Sequence, residues 1–326
     1  MSTFLTTAAT MQTLSIAGME EASREGRRDG DIEHLLLALV ISDQSAGDAL
    51  RSLGITLDAA RCAVRDQHDS HLRQLGIDLE RAEAGRIVFH ETEGYDWTDR
   101  ARTILNRSTE KPGKGDAASV LRQLIDEPSG LIADILERLG TTTDAVRTAL
   151  DEAEAAAASD SPSAPRRRDW VHGRIRTYVP APVEDVWALV SDADRFDEWD
   201  PAIGDIAAAS DDADVWIGVS PTHRPNGKPL KVRSEFRRRR ITQREATTLT
   251  RVIWWCEFPD APDVAPRMLA VELETTEGGT FVTLTSTWRR RAGWRRLAGL
   301  PLRALQKYLV WLNLSQMSGA ISRVFR

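Results

Sequence analysis

The chain has 326 residues, of which 41% are hydrophobic and 28% charged, a composition typical of a folded soluble protein rather than a disordered one. The net charge of −6 divides into −11 for residues 1–158 and +5 for residues 159–326. This length accommodates two ordinary domains, and the charge difference indicates that the two halves have different partners.

Cysteine usage and hydropathy favour a cytoplasmic protein. Only Cys62 and Cys256 are present, so the sequence carries no disulfide framework and no Cys-rich metal site. The N-terminal segment MSTFLTTAATMQTLSIAG lacks the basic start and long apolar core of a signal peptide. The longest uncharged run, 308–322, has 15 residues. It is too short for a membrane span, which needs about 18 apolar residues.

The first half of the chain contains an internal repeat. Residues 50–64, LRSLGITLDAARCAV, return as residues 136–150, LERLGTTTDAVRTAL, at an offset of 86, and residues 31–40 align with 116–125 at an offset of 85. Apolar residues recur at helical spacing in both copies. Gly54 and Gly140 mark helix ends, and the Thr and Asp residues after them are typical helix caps. The pattern predicts two copies of a small helical bundle.

Three segments of this half resemble the Clp N-terminal repeat, the paired four-helix module of Clp-type protein-unfolding ATPases. They are EHLLLAL (Glu33–Leu39), ALRSLGITLDAAR (Ala49–Arg61) and TDRARTILNRS (Thr98–Ser108), and the resemblance covers roughly residues 10–153. It implies a module that docks a protein or peptide. In some family members the equivalent Glu-His pairs bind phosphorylated arginine. The resemblance makes Glu33 and His34 the candidate peptide-binding residues, although the second copy has Ala118 and Ser119 instead.

Two other interpretations of this half remain open. Glu33 and His34 also suit an acid favoured at a helix start and a partly buried histidine. No G-x-x-x-x-G-K-S/T phosphate-binding loop follows the repeat, since NGKP at 226–229 reads as a turn. A repeat without an ATPase could regulate a Clp protease by competing for its adaptors.

The second half has strand periodicity. Alternating apolar and polar residues predict antiparallel strands at 170–179, 213–221, 230–236, 268–276 and 280–288, with turns at Asn226-Gly227 and at residues 277–279. Helical spacing predicts a short helix after Pro182 and a long one from about Leu300 to Val324.

The order of these elements, with the motifs VPAPVEDVWALVSD (179–192), FDEWDP (196–201) and GGTFVTLTSTW (278–288), resembles the helix-grip fold of the START/SRPBCC superfamily, in particular its polyketide cyclase/dehydrase and lipid-transport group. We expect a multidomain protein of class α plus α+β. Its all-α double Clp-like repeat bundle spans residues 1–153, a flexible linker 154–168, and a curved antiparallel sheet around a long C-terminal helix 169–326.

The helix-grip resemblance implies a pocket for a hydrophobic small molecule, such as a lipid or polyketide-like compound. The expected lining residues are Trp187, Phe196, Trp199, Trp216, Trp254, Phe281, Trp311 and Met317. Large aromatics are also ordinary core residues, so the same side chains suit a filled interior. The leading hypothesis is a non-catalytic binding protein of two modules.

The competing hypothesis is a polyketide cyclase or dehydratase, for which Arg233, Glu272 and Tyr308 are the candidate acid/base residues. His172 and His223 have no ligand spacing around them, so we expect no metal site, and the sequence implies no cofactor.

Two charged clusters are expected to face water. The acids of residues 192–200 suit helix caps and turns, because the intervening Arg195, Phe196 and Trp199 break the ligand alternation of a Ca²⁺ loop. The arginine runs at 236–244 and 288–296 suit a solvated strand end and loop, or a transient contact with an anionic membrane. No nucleic-acid partner is expected.

Overall fold

A computed structural model of the chain describes residues 3–77, 84–110, 115–159, 170–209, 214–289 and 303–326. The chain divides into two units, residues 1–162 and 163–326. The first unit is helical and the second is built on one large sheet.

The helices of the first unit are α1 (Thr3–Arg24), α2 (Ile32–Val40), α3 (Ser45–Ser52), α4 (Leu57–Gln74), α5 (Asp99–Thr109), α6 (Ala117–Ile125), α7 (Leu131–Arg138) and α8 (Thr143–Ser159). Two short strands, β1 (Asp29–Gly30) and β2 (Asp96–Trp97), pair in parallel. Trp97 fills a space left by two glycines. A Cβ at Gly18 or Gly30 would lie 2.6 or 2.8 Å from the Trp97 ring, so neither position admits a side chain without movement.

The helices of the first unit repeat with the spacing of the sequence. Helices α6, α7 and α8 begin 85, 86 and 86 residues after α2, α3 and α4. Gly54 and Gly140 both adopt positive φ, 73° and 75°, and the hydroxyls of Thr56 and Thr142 accept hydrogen bonds from the backbone at the start of the next helix. The predicted helix ends and caps are therefore confirmed, whereas the assignment to the Clp repeat family stays a prediction.

Helix α8 extends beyond the predicted domain end at residue 153. It continues to Ser159, because the alanine run at 155–158 favours helix over an open connector. The remainder of the predicted linker, 160–168, lies outside the described residues.

The second unit contains a seven-stranded antiparallel sheet in the order β3-β9-β8-β7-β6-β5-β4. Its strands are β3 (Trp170–Val179), β4 (Asp205–Ala208), β5 (Val215–Val219), β6 (Arg238–Thr247), β7 (Arg251–Glu257), β8 (Arg267–Thr276) and β9 (Gly279–Arg289). Its helices are α9 (Val183–Val190), α10 (Phe196–Trp199) and α11 (Arg303–Val324). The long predicted C-terminal helix is confirmed for its described part.

Side-chain alternation divides the sheet into two faces. The helix face is the one that carries Ile241, Trp254, Val271 and Leu284, which pack with Leu314, Met317 and Ile321 of α11. Helix α11 approaches β3 so closely that a Cβ at Gly173 would lie 2.3 Å from Val310. A sheet gripped by a long helix in this way is consistent with the helix-grip fold. The opposite side of the sheet is the outer face.

One predicted strand is wrong and three strands were missed. Residues 230–236 alternate in polarity but end in a 3-10 turn at Ser234–Phe236 and pair with no strand of the sheet. They belong to a loop, 220–237, that turns back at Gly227 as predicted and is tied by the hydrogen bond from Leu230 N to Thr222 O. Strands β4, β6 and β7 were not predicted, and β6 contains the arginine run that was assigned to solvent.

Candidate functional site

A cavity of about 310 Å³ opens at one end of the helix face. Strands β5 and β7 end there, while β6 and β8 begin there. The lining residues come from these strand ends, from loop 220–237, from the turn after α10 and from the loop between β7 and β8: Ala202, Ser220, Leu230, Val232, Phe236, Arg239, Phe258, Val264 and Arg267. Leu230, Val232 and Phe236 alternate as in a strand because alternate positions of the loop turn towards this cavity rather than towards a neighbouring strand.

Arg239 reaches the cavity because of its register. It lies two residues before Ile241 on β6 and opposite Gly218 on β5, which places it on the helix face. Its guanidinium pairs with the carboxylate of Asp200, with Nη1 3.4 Å from Oδ2. Asp200 Oδ1 also accepts a hydrogen bond of 3.0 Å from the backbone N–H of Ala202.

Asp200 is only 6% exposed, in contrast to the solvated cap that the sequence suggested. Burial raises the pKa of Asp200, against the opposing effects of Arg239, the Ala202 N–H and Arg267. The pair with Arg239 therefore does not fully compensate the burial of this carboxylate.

A second arginine enters the site from β8. Arg267 pairs in register with Cys256 and Trp288, so it also lies on the helix face. Its guanidinium lies 5.1 Å from the Trp288 ring and 5.9 Å from that of Phe258, and the guanidinium of Arg239 lies 5.7 Å from the same Phe258 ring. Two cations thus converge on one aromatic side chain at the cavity wall.

Two polar atoms of this wall are buried without a hydrogen-bond partner among the described residues: Ser220 Oγ and Arg239 Nε. Ser220 is 8% exposed. Buried polar atoms are normally paired, because leaving one unpaired costs about 1–3 kcal/mol. The cavity therefore offers unused hydrogen-bonding capacity beside its apolar walls.

Cys256 is close to the site but is not a nucleophile at neutral pH. It occupies the helix face between Ile241 on β6 and Arg267 on β8. Burial raises the pKa of the Cys256 thiol to about 12, so the reactive thiolate is scarce.

None of the eight predicted pocket residues is among those that line the cavity. Phe196, Trp199, Trp254 and Met317 are buried in the packed core, and Trp187 and Trp216 pack against it. The ring centroids of Phe196 and Trp199 are 4.2 Å apart, and those of Phe196 and Trp254 are 5.2 Å apart. These aromatics fill the interior, and none of them lines the cavity.

The other two predicted lining residues lie elsewhere. Phe281 alternates with the inward Val282 and so lies on the outer face, where Arg176 stacks 3.5 Å from its ring centroid. Trp311 is partly exposed on α11, with its ring 5.9 Å from that of Tyr308.

The candidate acid/base residues do not converge. The Arg233 side chain is 78% exposed and lies 3.6 Å from Glu235. Glu272 is on the outer face, 3.7 Å from Arg174 and 3.8 Å from Arg251. Tyr308 is 43% exposed on α11. The geometry therefore gives no support to an acid/base site built from these three side chains.

Sequence reasoning missed the residues that carry the cavity's polar chemistry: Asp200, Ser220, Arg239 and Arg267. Asp200 and Arg239 were both placed in charge clusters assigned to solvent. The signal that could have separated Arg239 from its neighbours is its alternation with Ile241 and Gln243, which indicates a strand with Arg239 on the inward side.

In the first unit, Glu33 and His34 are both buried, with exposures of 1% and 0%. His34 occupies the third position of α2 and its Nδ1 accepts a hydrogen bond from the backbone N–H of Asp31, which closes a capping box. Its Nε2 lies 3.5 Å from a carboxylate oxygen of Glu25. His34 therefore stabilises the start of α2.

Glu33 is held by basic side chains of the same unit. Its carboxylate oxygens lie 3.2 Å from Arg27, 3.5 Å from His68, and 3.9 Å from both His34 and Arg100. Burial opposes ionisation of Glu33, but the hydrogen bond from His68 and the proximity of His34 outweigh it, so the pKa of Glu33 is lowered. Glu33 therefore contacts basic side chains of its own unit.

Neither a metal cluster nor a membrane-length apolar helix occurs in the described part of the chain. No group of three or more His, Cys, Asp and Glu side chains there is arranged to hold a metal ion. Among the described helices, none combines the length and apolar character that a membrane crossing requires.

No protein-family model matches the chain, and no curated protein matches it. Among solved structures it is similar to the di-domain ARO/CYC StfQ from the steffimycin biosynthetic pathway, with 14% identity, a TM-score of 0.35 and coverage of 64% of this chain and 58% of StfQ. DynU16 from the dynemicin biosynthetic locus shows 20% identity, a TM-score of 0.31 and coverage of 48% and 47%. TTHA0849 from Thermus thermophilus shows 19% identity, a TM-score of 0.35 and coverage of 47% and 97%.

Proposed function

We propose that the protein is a non-catalytic binding protein of two modules, in which the sheet unit holds a small apolar molecule and the helical unit docks a protein or peptide. The observation that carries the proposal is the cavity of about 310 Å³ beside an otherwise filled core. Ligand sites are typically apolar concavities with a few polar groups, and this one combines Phe236, Phe258, Leu230 and Val232 with two arginines and a serine.

The absence of a convergent acid/base group favours binding over turnover. Within the described residues, the titratable side chains nearest the cavity are paired, as in Asp200 with Arg239, or hard to ionise, as in Cys256. A cyclase or dehydratase would need a group positioned to move a proton on the substrate. Arg233, Glu272 and Tyr308 lie exposed and do not line the cavity.

The docking role of the helical unit is supported by its repeated architecture and by the resemblance to the Clp repeat. The partner class implied by that resemblance is a Clp component or adaptor. Glu33 and His34 are engaged within the unit, so docking uses another part of its surface. Immobilised full-length protein should retain purified Clp adaptors or subunits, and retention of neither would remove this part of the proposal.

The cavity is tested with uncharged aromatic probes, naphthalene and 2-naphthamide, by isothermal titration calorimetry and native mass spectrometry of the full chain. One probe should bind per chain. Val264→Trp, which fills the cavity from its wall, should weaken binding at least about tenfold, equivalent to about 1.4 kcal/mol. Val219→Trp is the matched control, since Val219 is 40% exposed at the end of β5 and does not line the cavity. Unchanged binding to Val264→Trp would place the probe elsewhere.

A further inference from the structure

The cavity has an excess of positive charge on an otherwise uncharged side of the sheet. On the helix face of the described strands, alternation places two charged side chains, Arg239 and Arg267, and both are at the cavity end. The neighbouring positions on the same face, including Ile241, Trp254 and Leu269, are apolar and buried. Arg239 is partly buried, with 20% of its side chain exposed, whereas Arg267 is an exposed residue of the cavity wall.

Among the described residues, one carboxylate lies within ion-pair distance of these two arginines. The Asp200 carboxylate lies 3.4 Å from the Arg239 guanidinium and forms an ion pair with it. Within the described part of the chain, Arg267 has no carboxylate within ion-pair distance and lies instead against the rings of Phe258 and Trp288. One positive charge is therefore left over at the cavity wall when Asp200 is ionised.

Unpaired hydrogen-bonding atoms lie at the same place. Ser220 Oγ is buried at the cavity wall without a partner among the described residues, and so is Arg239 Nε. Ser220 follows β5 and Arg239 is the second residue of β6, and the N–H of Ser220 donates to the carbonyl of Arg237 beside it. A hydroxyl and two guanidinium groups form a donor set suited to an oxyanion.

Resting on the proposed binding function, we infer that the ligand is a compact apolar monocarboxylate, whose carboxylate is held by Arg239, Arg267 and Ser220 and whose body packs against the rings of Phe236 and Phe258. A single carboxylate matches the single excess charge, and its planar oxygens suit guanidinium pairing. The ring centroids of Phe236 and Phe258 are 5.4 Å apart in an edge-to-face arrangement, which forms an aromatic wall.

The cavity volume sets the size of the ligand. Pockets for drug-sized ligands span about 300–1,000 Å³, and this cavity of about 310 Å³ is at the lower end. It suits a body of one or two fused rings rather than an enclosed long acyl chain. An aromatic acid therefore fits better than a fatty acid.

The test compares two probes of nearly equal shape, 2-naphthoate and the uncharged 2-naphthamide, by calorimetry with the full chain at pH 7 and low salt. 2-Naphthoate should bind at least about tenfold more tightly, which is the effect of one charge-assisted hydrogen bond. Arg267→Gln should weaken the binding of 2-naphthoate more than the binding of 2-naphthamide, and so remove that preference. Arg240→Gln is the control, because Arg240 is exposed on the outer face of the same strand as Arg239.

Asp200→Asn provides a second variant with the opposite expected effect. Asn keeps an acceptor for the Ala202 N–H but no longer competes for Arg239, so the affinity for 2-naphthoate should rise. Arg239→Gln would leave Asp200 buried without its ion pair and could prevent folding. The test with Asp200→Asn avoids this problem.

The outcomes separate the two proposals. Equal affinity for the two naphthalene probes, unaffected by Arg267→Gln, would overturn the carboxylate inference and leave the binding function in place. Binding of neither probe would overturn the binding function and with it the inference. Dodecanoate serves as a third probe, and tighter binding of dodecanoate than of 2-naphthoate would overturn the compact aromatic body.

Discussion

Each unit buries a carboxylate near basic side chains, but the pKa of the carboxyl group shifts in opposite directions in the two units. Glu33 of the helical unit lies within 4.0 Å of two arginines and two histidines, and its pKa is lowered. Asp200 of the sheet unit has one arginine at 3.4 Å, and its pKa is raised.

This difference in surroundings distinguishes a buried charge with a structural role from one beside a candidate ligand-binding site. The basic side chains around Glu33 come from four positions in the helical unit, so the carboxylate links these segments, although its Oε2 has no hydrogen-bond partner among the described residues. Near Asp200, by contrast, Arg239 and Arg267 have one carboxylate between them within ion-pair distance among the described residues, and both border a cavity. A charge cluster therefore indicates function most clearly where its charges do not balance and a space lies beside it.

The largest expected effect is in the cluster around Glu33. Glu33→Gln keeps the shape of the side chain but removes its charge, so we expect the free energy of unfolding of the helical unit to fall by about 2 kcal/mol at pH 7. Urea denaturation of the full chain followed by helical circular dichroism measures it. Glu152→Gln, exposed on α8, should change it by less than about 0.5 kcal/mol. Equal stability of both variants would show that the cluster around Glu33 is not stabilising.

Replacing the other buried carboxylate, Asp200, by its amide should not destabilise the sheet unit. Because burial outweighs the attraction of Arg239 at Asp200, we expect Asp200→Asn to leave the free energy of unfolding of the sheet unit unchanged or to raise it by up to about 1 kcal/mol at pH 7. Tryptophan fluorescence reports on this unit, since nine of the 10 tryptophans follow residue 169. The exposed Asp197→Asn is the control. A loss above about 2 kcal/mol would show that the Asp200–Arg239 pair is a net source of stability.

The two carboxylates should also respond oppositely to pH. The pKa of Glu33, faced by Arg27, His34, His68 and Arg100, is lowered, so its stabilisation is present above the unfolded value of about 4.3 and is lost as the pH falls through the folded value. The difference in melting temperature between wild type and Glu33→Gln should therefore shrink on acidification. A difference that stays constant between pH 7 and pH 3 would contradict the lowered pKa.

For Asp200 the sign is reversed. Its pKa is raised, and the groups facing it are Arg239, Arg267 and Cys256. Its protonated form is accommodated when folded, so the sheet unit should lose stability as the pH rises from about 3.9 through the folded value. Melting of Asp200→Asn by fluorescence should lack this decline. An equal decline in both proteins would assign it to other groups.

The smallest expected effect concerns the unpaired hydroxyl. Ser220→Ala removes a buried Oγ without a partner among the described residues, so the free energy of unfolding should stay the same or rise by less than about 1 kcal/mol. Thr280→Val is the contrasting variant, because Thr280 Oγ1 donates a 2.8 Å hydrogen bond to the Ala181 carbonyl, and it should cost about 1 kcal/mol. Chemical denaturation with fluorescence detection compares them. A clear loss in Ser220→Ala would indicate that this hydroxyl is satisfied in solution.

Local patterns predicted much of the fold. The first strand, 170–179, and the hairpin at Gly278 follow from alternation and turn residues, and the repeat of helices α2–α4 follows from recurring caps. The strands β6 and β7 were missed because arginines and tryptophans obscure their alternation. The alternating polarity of residues 230–236 predicted a strand, but these residues form a loop that lines the cavity. Alternation alone does not distinguish these two arrangements.

The candidate site was less accessible to sequence reasoning. Asp200, Arg239 and Arg267 are separated by dozens of residues, and register across three strands brings them together. The aromatics, which were the most conspicuous residues, fill the core because large apolar side chains gain most from full burial. Burial of a charge is decided by such long-range pairing, which a local pattern does not contain.

Loop 220–237 has a consequence for how this protein could diversify. It supplies Leu230, Val232 and Phe236 to the cavity wall while remaining outside the strand ladders of the sheet. Substitutions or changes of length in this loop would therefore alter the cavity without shifting the register of any strand. Variation confined to this loop would change which side chains line the cavity, while Arg239 and Arg267 keep their positions on β6 and β8.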